Sequence, residues 1–119
     1  MLVPAMIARK NLMAVVDTGS QVTIINSAVL PKEVLQQSSK PVKLRGIKPG
    51  SDSLVQGHLL ENMSIVLGDD RYQSDVYAAP ITDDALLGLD FMLKHPIDPI
   101  ITKNILSTPY GDIETTLRK

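Results

Sequence analysis

The chain contains no cysteine and no tryptophan, and only three Tyr and one Phe occur among its 119 residues. The absence of cysteine excludes disulfide bonds and thiolate chemistry, and it is compatible with a reducing compartment. Because aromatic side chains are scarce, the core has to be built from Val, Ile, Leu and Met. This length fits one modest core, so residues 1–119 are expected to form a single domain.

The chain also lacks a large net charge, because it contains 12 Lys and Arg residues and 13 Asp and Glu residues, which gives a net charge of −1. No basic stripe is visible, which argues against nucleic acid as a partner. No apolar run approaches the roughly 18 residues of a membrane-spanning helix. The first residues, Met1 to Ala5, lack the charged and apolar regions of a signal peptide. Neither a membrane partner nor a targeting segment is therefore expected.

Short apolar segments separated by turn residues dominate the chain, and this pattern predicts a mostly β fold. The clearest turns are residues 9–11, 48–52 and 68–71. Residues 84–94 predict the one convincing helix, beginning near Gly88, and a shorter helical turn is expected within residues 27–35. The predicted strands are residues 2–8, 12–16, 22–26, 42–47, 54–60, 63–67 and 72–78, and apolar segments 100–107 and 113–117 end the chain.

The most informative segment is Asp17-Thr18-Gly19-Ser20, which lies between two apolar, strand-like runs. A carboxylate at the end of a buried strand is costly unless it is paired, hydrogen-bonded or used in chemistry. A structural Asp, or one that starts an Asx turn, is the alternative interpretation. A second segment about 70 residues further on, Ala85-Leu86-Leu87-Gly88-Leu89-Asp90-Phe91-Met92, favours use in chemistry.

The two segments together resemble the retropepsins, which are the single-domain aspartic peptidases of retroviruses and LTR retrotransposons. The Leu-Leu-Gly-Leu-Asp-Phe form is more similar to the retrotransposon branch. The resemblance covers roughly residues 2–107. It implies an all-β, closed, barrel-like retropepsin (acid protease) fold with one short C-terminal helix, and it implies no metal or organic cofactor. Residues 108–119 are expected to form an interface strand or a tail.

The resemblance also implies aspartic endopeptidase activity on polypeptides, with a Gag-Pol-type polyprotein as the expected substrate. Such an enzyme needs two carboxylates that share one proton, one acting as a base on water and the other donating to the scissile carbonyl. The chain carries one Asp-Thr-Gly and has no room for a second lobe. We therefore expect a homodimer with Asp17 from each subunit at the two-fold axis. The expected location is the cytoplasm or a retroelement or virus-like particle.

Asp17 is the predicted catalytic residue, and Thr18, Gly19 and Ser20 form the predicted active-site loop. Gly19 permits a tight turn and close approach of the substrate backbone, and Thr18 matches a family position that hydrogen-bonds across the dimer. The Ser20 hydroxyl is expected to donate to the outer oxygen of Asp17. Ser20→Ala would then move the acidic limb of the pH–rate profile upward.

Substrate contacts are predicted from the family positions on both sides of the cleft. Leu86 matches the position that lines the central side-chain pockets and Ile24 a wall of the same cleft, so an apolar or aromatic preference is expected beside the scissile bond. The flap that covers substrate in this family is expected at residues 44–51. The predicted substrate-binding residues are Gly19, Gln21, Ile24, Gly46, Ile47, Lys48 and Leu86.

Asp90 is expected to be structural, because it matches a family position that anchors the helix near the active-site loop. Leu89 and Gln21 occupy the two positions at which retroviral members carry an Arg–acid ion pair. Both partners of that pair are therefore absent together.

The remaining polar clusters have plainer interpretations. Asp69-Asp70 and Asp83-Asp84 are expected to be solvated turn acids rather than metal ligands, and His58 and His95 lack a second ligand at zinc spacing. A modest basic cluster is either a solvated face of the flap or a source of substrate preference, and it consists of Lys40, Lys43, Arg45 and Lys48.

Two further functions stay open from the sequence. The first is a binding module that keeps the fold for dimerisation or peptide capture with weak or no catalysis. The intact Asp17-Thr18-Gly19 argues against it, because nothing structural demands an Asp at the axis. The second is a host-domesticated peptidase with a narrow cellular substrate, which the sequence alone does not separate from a retroelement enzyme.

Overall fold

The computed structural model describes residues 1–37, 39–45 and 54–117. Strands account for most of this part of the chain, and every helix in it is short. The strands are β1 (Leu2–Ile7), β2 (Lys10–Val16), β3 (Ile24–Asn26), β4 (Ser39–Arg45), β5 (Leu54–Leu67), β6 (Asp70–Ala79), β7 (Ala85–Leu87), β8 (Asp98–Ile100), β9 (Ile105–Thr108) and β10 (Gly111–Glu114). The helices are α1 (Lys32–Gln37) and α2 (Leu89–Lys94), with 3₁₀ turns at Ser27–Val29 and Ile101–Lys103.

Six strands close into a barrel in the order β1-β2-β7-β3-β6-β5. The barrel closes because β5 pairs back onto β1 through Met6↔Val66 and Ile7↔Ile65. The neighbours β2–β7 and β3–β6 run parallel, and β4 forms an antiparallel hairpin with the first half of β5. The closed, mostly β fold predicted from the sequence is therefore confirmed.

The core lies inside this barrel and is largely aliphatic, as the composition predicts. In β1, Val3, Ala5 and Ile7 are buried while Pro4 and Met6 face outward, which is the two-residue period of a strand with one buried face. Phe91 of α2 is completely buried in the same cluster. The short helix α2 thus packs against the barrel next to the strands that carry the site.

The turn between β1 and β2 has only two residues, Ala8 and Arg9. Both have positive φ angles, of 52° and 64°, which place them in the left-handed region. Two-residue hairpins of this twist normally use Asn-Gly or Asp-Gly, because a Cβ in the left-handed region costs about 1–2 kcal/mol. The turn was predicted at residues 9–11 and lies one residue earlier.

The predicted strands 54–60 and 63–67 form one continuous strand, β5, so the predicted break between them is wrong. A bulge shifts its register against β6 between Leu60 and Met63. Asn62 adopts a φ of 55° there, and its amide donates to Asp75 Oδ1 at 2.8 Å. The bulge bends the strand without ending it, because a bulge leaves the pairing on either side intact.

The helices agree in part with the sequence prediction. α2 begins at Leu89 with Gly88 as its N-cap, as expected, but Ala85–Leu87 before it form a strand and not a helical turn. α1 is a second short helix beyond the one C-terminal helix expected for the fold, and it extends to Gln37. Within residues 1–37, 39–45 and 54–117, no helix combines the length and apolarity needed to cross a membrane.

The C-terminal segment packs against its own chain. β9 and β10 form a hairpin, and β8 completes a three-stranded sheet. Thr116 then pairs with Leu2, because Leu2 N donates to Thr116 O at 2.7 Å and Thr116 N donates to Leu2 O at 2.9 Å. In this single chain, residues 111–114 thus form a strand and Thr116 pairs with β1, and the expected interface role of residues 108–119 stays a prediction.

Candidate active site

Asp17 lies where β2 ends and the chain turns. Its amide donates to the carbonyl of Leu87 in the neighbouring strand β7 at 3.0 Å, which fixes the backbone of the turn against the barrel. Gly19 N donates to Asp17 Oδ1 at 2.9 Å, and Ser20 N donates to Asp17 O at 3.1 Å. The second carboxylate oxygen, Oδ2, accepts no hydrogen bond from the described residues, and Asp17 is half-buried.

The turn at Asp17 leaves little space for a side chain at Gly19. A Cβ added at Gly19 would lie 3.1 Å from Asp17 Oδ1, closer than an ordinary van der Waals contact. The hydrogen bond from its amide brings the two groups together, so a larger residue would push the carboxylate away. Thr18 beside it is exposed, and its side chain makes no hydrogen bond within the described part of the chain. Its predicted contact with a partner subunit remains a prediction.

The turn is fastened to the first residues of α2. The amide of Leu89 donates to the carbonyl of Ser20 at 2.9 Å, and the amide of Asp90 donates to the carbonyl of Gln21 at 3.2 Å. The first amides of a helix have no partner inside the helix, so loop carbonyls satisfy them here. Leu89 and Gln21, the positions at which retroviral members carry an ion pair, each take part in one of these two backbone bonds.

Ser20 does not make the contact predicted for it. Its hydroxyl donates to the carbonyl oxygen of Val22 at 2.7 Å, and not to Asp17. A hydroxyl has one proton to donate, so this bond inside the loop replaces the predicted bond to the carboxylate. The expected effect of Ser20→Ala on the acidic limb therefore loses its physical basis.

Asp90 and Thr23 form the support beneath the turn. Thr23 Oγ1 donates to Asp90 Oδ1 at 2.7 Å, and the amide of Thr23 donates to Asp90 Oδ2 at 3.2 Å. The same Thr23 oxygen accepts from the amide of Gly88 at 3.0 Å, and Asp90 Oδ1 also accepts from its neighbour Phe91 at 2.7 Å. Asp90 is thus structural, in agreement with the sequence. Thr23 was missed as a site residue, although a threonine between Val22 and Ile24 in an apolar strand was a signal.

Gly88 has no space for a side chain. A Cβ there would lie 2.6 Å from the carbonyl carbon of Val22 and 2.9 Å from the carbonyl oxygen of Ser20, and it would come closer still to Val22 O. All of these atoms are backbone atoms of the loop that follows Asp17. The second motif therefore contacts the first directly, which is the reason that both occur together in the chain.

Two comparisons bear on this arrangement of an Asp-Thr-Gly turn supported by a glycine and an acid from a distant segment. The model of the retroviral aspartyl protease family matches residues 2–97. The chain belongs to this family. Proteases of this family typically act as dimers on polypeptide substrates.

A similar fold occurs in the retroviral protease-like domain of Ddi1 from Leishmania major. The two structures superpose with a TM-score of 0.76 at 20% sequence identity, over 98% of this chain and 94% of that one. At this identity the likeness concerns the fold. No curated protein matches the chain significantly in sequence.

The predicted substrate-binding residues of this retropepsin-like chain lie in different environments. Gln21 is exposed and Leu86 is half-buried, so both have surface to offer a peptide. Ile24, which pairs with Leu86 between β3 and β7, is only 2% exposed in the single chain. Gly19 is exposed, and the remaining three predicted contacts, Gly46, Ile47 and Lys48, lie outside the described residues, as does most of the predicted flap tip. The substrate-binding assignments therefore stay predictions.

The described part of the basic cluster lies on β4. Lys40 Nζ is 2.6 Å from Glu61 Oε1 on the neighbouring strand β5, and this hydrogen bond with its charge raises the pKa of Lys40 above its ordinary value. Lys43 and Arg45 are exposed and make no ion pair within the described residues. One cation of the cluster is thus paired with an acid, and two exposed cations have no ion-pair partner among the described residues.

No group of three or more His, Cys, Asp or Glu side chains that could hold a metal ion occurs among residues 1–37, 39–45 and 54–117. Asp84 has a structural contact instead, because its Oδ2 accepts from the amide of Met13 at 3.3 Å. His95 Nε2 donates to the carbonyl of Gln73 at 2.9 Å, which fastens the end of α2 to β6.

Proposed function

We propose that this chain is an aspartic endopeptidase whose active site is completed by a second copy of itself. The observation that carries the proposal is the carboxylate of Asp17, which has one oxygen held by Gly19 N and the other free of partners among the described residues. A single half-buried carboxylate on a surface turn has the geometry of half a dyad. A C2 axis through this turn would bring the same atom from both subunits together.

The proposed reaction uses the two carboxylates as an acid and a base that share one proton. The ionised carboxylate takes a proton from a water molecule while the water oxygen attacks the scissile carbonyl carbon. The protonated carboxylate donates to the carbonyl oxygen, so a neutral tetrahedral diol forms. Proton transfer to the nitrogen then breaks the carbon–nitrogen bond and releases an amine and a carboxylic acid.

The proposed substrate is a Gag-Pol-type polyprotein, cut beside apolar or aromatic residues, and the proposed setting is a retroelement particle or the cytoplasm. The half-buried Leu86 near the turn supports the apolar preference. The motif style of residues 85–92 supports a retrotransposon source.

A second candidate is a peptidase or peptide-binding domain that works outside a retroelement. The likeness of fold to a domain of Ddi1 from Leishmania major favours this candidate, because that protein is described as protease-like and comes from a cellular organism. Within this candidate, catalysis could be weak or absent while dimerisation is kept.

The experiment that tests the proposal is cleavage of a mixed peptide library near pH 5 at several enzyme concentrations. The native protein should cut beside apolar residues, Asp17→Asn should not, and specific activity should rise with concentration as dimers form. Lys103→Gln, which changes an exposed side chain outside both the Asp17 turn and residues 108–119, serves as the control variant and should keep full activity.

Cleavage that survives in Asp17→Asn would refute the assignment of Asp17. No cleavage by the native protein, combined with a folded dimer in sedimentation, would favour the binding module. Activity that is independent of concentration in a proven monomer would refute the shared site.

A further inference from the structure

A row of outward-facing side chains crosses the barrel on strands β1, β5 and β6. Met6 pairs with Val66, and Val66 pairs with Arg71, so these three residues are direct neighbours across the sheet. Met6 is 40% exposed although it is a large apolar side chain. The row lies away from Asp17, on strand positions that the catalytic proposal does not use.

A cavity of about 350 Å³ opens along this row, and we call it the outer cleft. Its floor consists of apolar side chains from β1 and β5, and its rim carries two arginines. Methionine side chains adapt to ligands of different shape, because they are unbranched and flexible. The residues that line the outer cleft are Met6, Ala8, Arg9, Met63, Ser64, Val66 and Arg71.

The charged side chains that line the outer cleft are both positive. Arg9 and Arg71 are exposed and form no ion pair within the described part of the chain, and no acid lines the cleft. Asp70 adjoins Arg71 on the opposite side of the strand, and Glu114 lies in an adjoining cavity that shares Met6 and Val66 with the outer cleft. Two unpaired guanidinium groups beside an apolar floor favour a ligand that carries carboxylates.

The turn that supplies Arg9 does not use the residues that fit its backbone best. Ala8 and Arg9 both hold left-handed φ angles, where glycine or asparagine would cost less. Folding alone therefore does not account for an arginine at this position. A binding role for its side chain does account for it, because backbone strain often persists where a side chain is needed.

We propose that the outer cleft binds an acidic, extended segment of a polypeptide partner. A carboxylate of the segment lies between Arg9 and Arg71, and an adjacent apolar side chain packs on Met6 and Met63. The apolar floor favours a peptide over a free phosphate, which has no group to place there. The cleft carries two cations, fewer than the roughly 4–8 clustered Lys or Arg residues typical of a membrane-surface site, which argues against a membrane as the partner. The site goes beyond the proposed function and does not require catalysis.

The test measures fluorescence anisotropy of a short labelled peptide in which Asp residues flank a Leu. It is titrated with the native protein and with the variants Arg9→Gln, Arg71→Gln and the double variant, all at low salt. Asp17→Asn protein provides the same measurement without cleavage of the probe. We expect each single variant to weaken binding about three- to tenfold and the double variant more than about tenfold.

The controls identify what is bound. A peptide with Asn in place of Asp should bind much more weakly, and Lys103→Gln, which removes an exposed cation outside the cleft, should bind like the native protein. Met6→Ser should weaken binding of the Leu-containing peptide more than that of the same peptide with Gly in place of Leu. Circular dichroism should show that all variants are folded, since each changed side chain is at least partly exposed.

Several results would overturn the proposal. Equal binding of the Asp and Asn peptides would do so, as would an unchanged affinity in the double variant or no binding at all. Competition by inorganic phosphate at the same concentration as the unlabelled peptide would assign the arginines to a simple anion site. Recruitment to phosphatidylserine vesicles without peptide binding would assign them to a membrane surface.

Discussion

Removing the hydroxyl of Thr23 should lower the free energy of unfolding strongly while changing the shape of the side chain very little. Thr23 is 1% exposed, and its Oγ1 donates to Asp90 Oδ1 at 2.7 Å and accepts from Gly88 N at 3.0 Å. Thr23→Val keeps the volume and branching but removes both bonds. A hydrogen bond to a charged group contributes about 1.5–3 kcal/mol, and an unpaired buried amide costs about 1–3 kcal/mol. We therefore expect the free energy of unfolding to fall by about 3–5 kcal/mol.

The measurement is urea unfolding followed by far-UV circular dichroism, since the chain has no Trp for fluorescence. With a slope of about 1–3 kcal/mol/M, the loss corresponds to a midpoint lower by about 2 M. Thr108→Val is the matched control, because Thr108 Oγ1 also makes two hydrogen bonds, to Gly111 O and Tyr110 N, but in a less buried turn. It should cost about 1 kcal/mol or less.

Thr23→Ser separates the hydroxyl from the methyl group. It keeps both hydrogen bonds and loses one buried methyl, which costs about 1 kcal/mol. If Thr23→Ser proves as destabilising as Thr23→Val, or if Thr23→Val costs no more than Thr108→Val, the hydrogen bonds do not carry the stability assigned to them. The fold is stable by about 5–15 kcal/mol in total, so the effect is a large share of it.

Three further predictions concern the same loop and the β1–β2 turn. Gly88→Ala should prevent folding or lower the unfolding midpoint by more than any other substitution named here. The reason is that the added Cβ would clash with backbone atoms of Val22 and Ser20. A native-like urea midpoint would contradict this prediction. Ser20→Ala should lower the free energy of unfolding by about 1 kcal/mol and leave the acidic limb of the pH–rate profile unchanged, because the hydroxyl donates to Val22 O and not to Asp17. An upward shift of that limb would instead support the hydrogen bond to Asp17 predicted from the sequence. Ala8→Gly should raise the free energy of unfolding measured in urea by about 0.5–1 kcal/mol, because glycine adopts a left-handed φ angle without the strain of a Cβ. A loss of stability would mean that the turn is not strained.

The turn at Asp17 was the most predictable part of the molecule. Asp17-Thr18-Gly19 and the segment around Gly88 stood out because together they resemble the retropepsin motifs, and the structure brings them into contact. Short apolar segments between turn residues also predicted most of the strands. These are local signals, which a single chain displays directly.

The parts that the sequence did not predict depend on partners far along the chain. β7 has only three residues, and it becomes a strand because β2 and β3 pair with it on both sides. The hydrogen bond expected from Ser20 to Asp17 failed because a nearer acceptor, Val22 O, was available in the folded loop. The closure of the tail onto Leu2 joins positions that no local pattern connects.

The bridge between Leu2 and Thr116 places the two ends of the folded unit side by side. A unit with adjoining ends can be inserted into a surface loop of another protein without forcing that loop apart. It can also be circularly permuted, with a short linker across the bridge and new termini at an exposed turn such as Asp69. The chain between the two bridged residues forms a long loop, but the entropic cost of closing a loop grows only with the logarithm of its length. The two backbone hydrogen bonds between Leu2 and Thr116 act against this slowly growing cost.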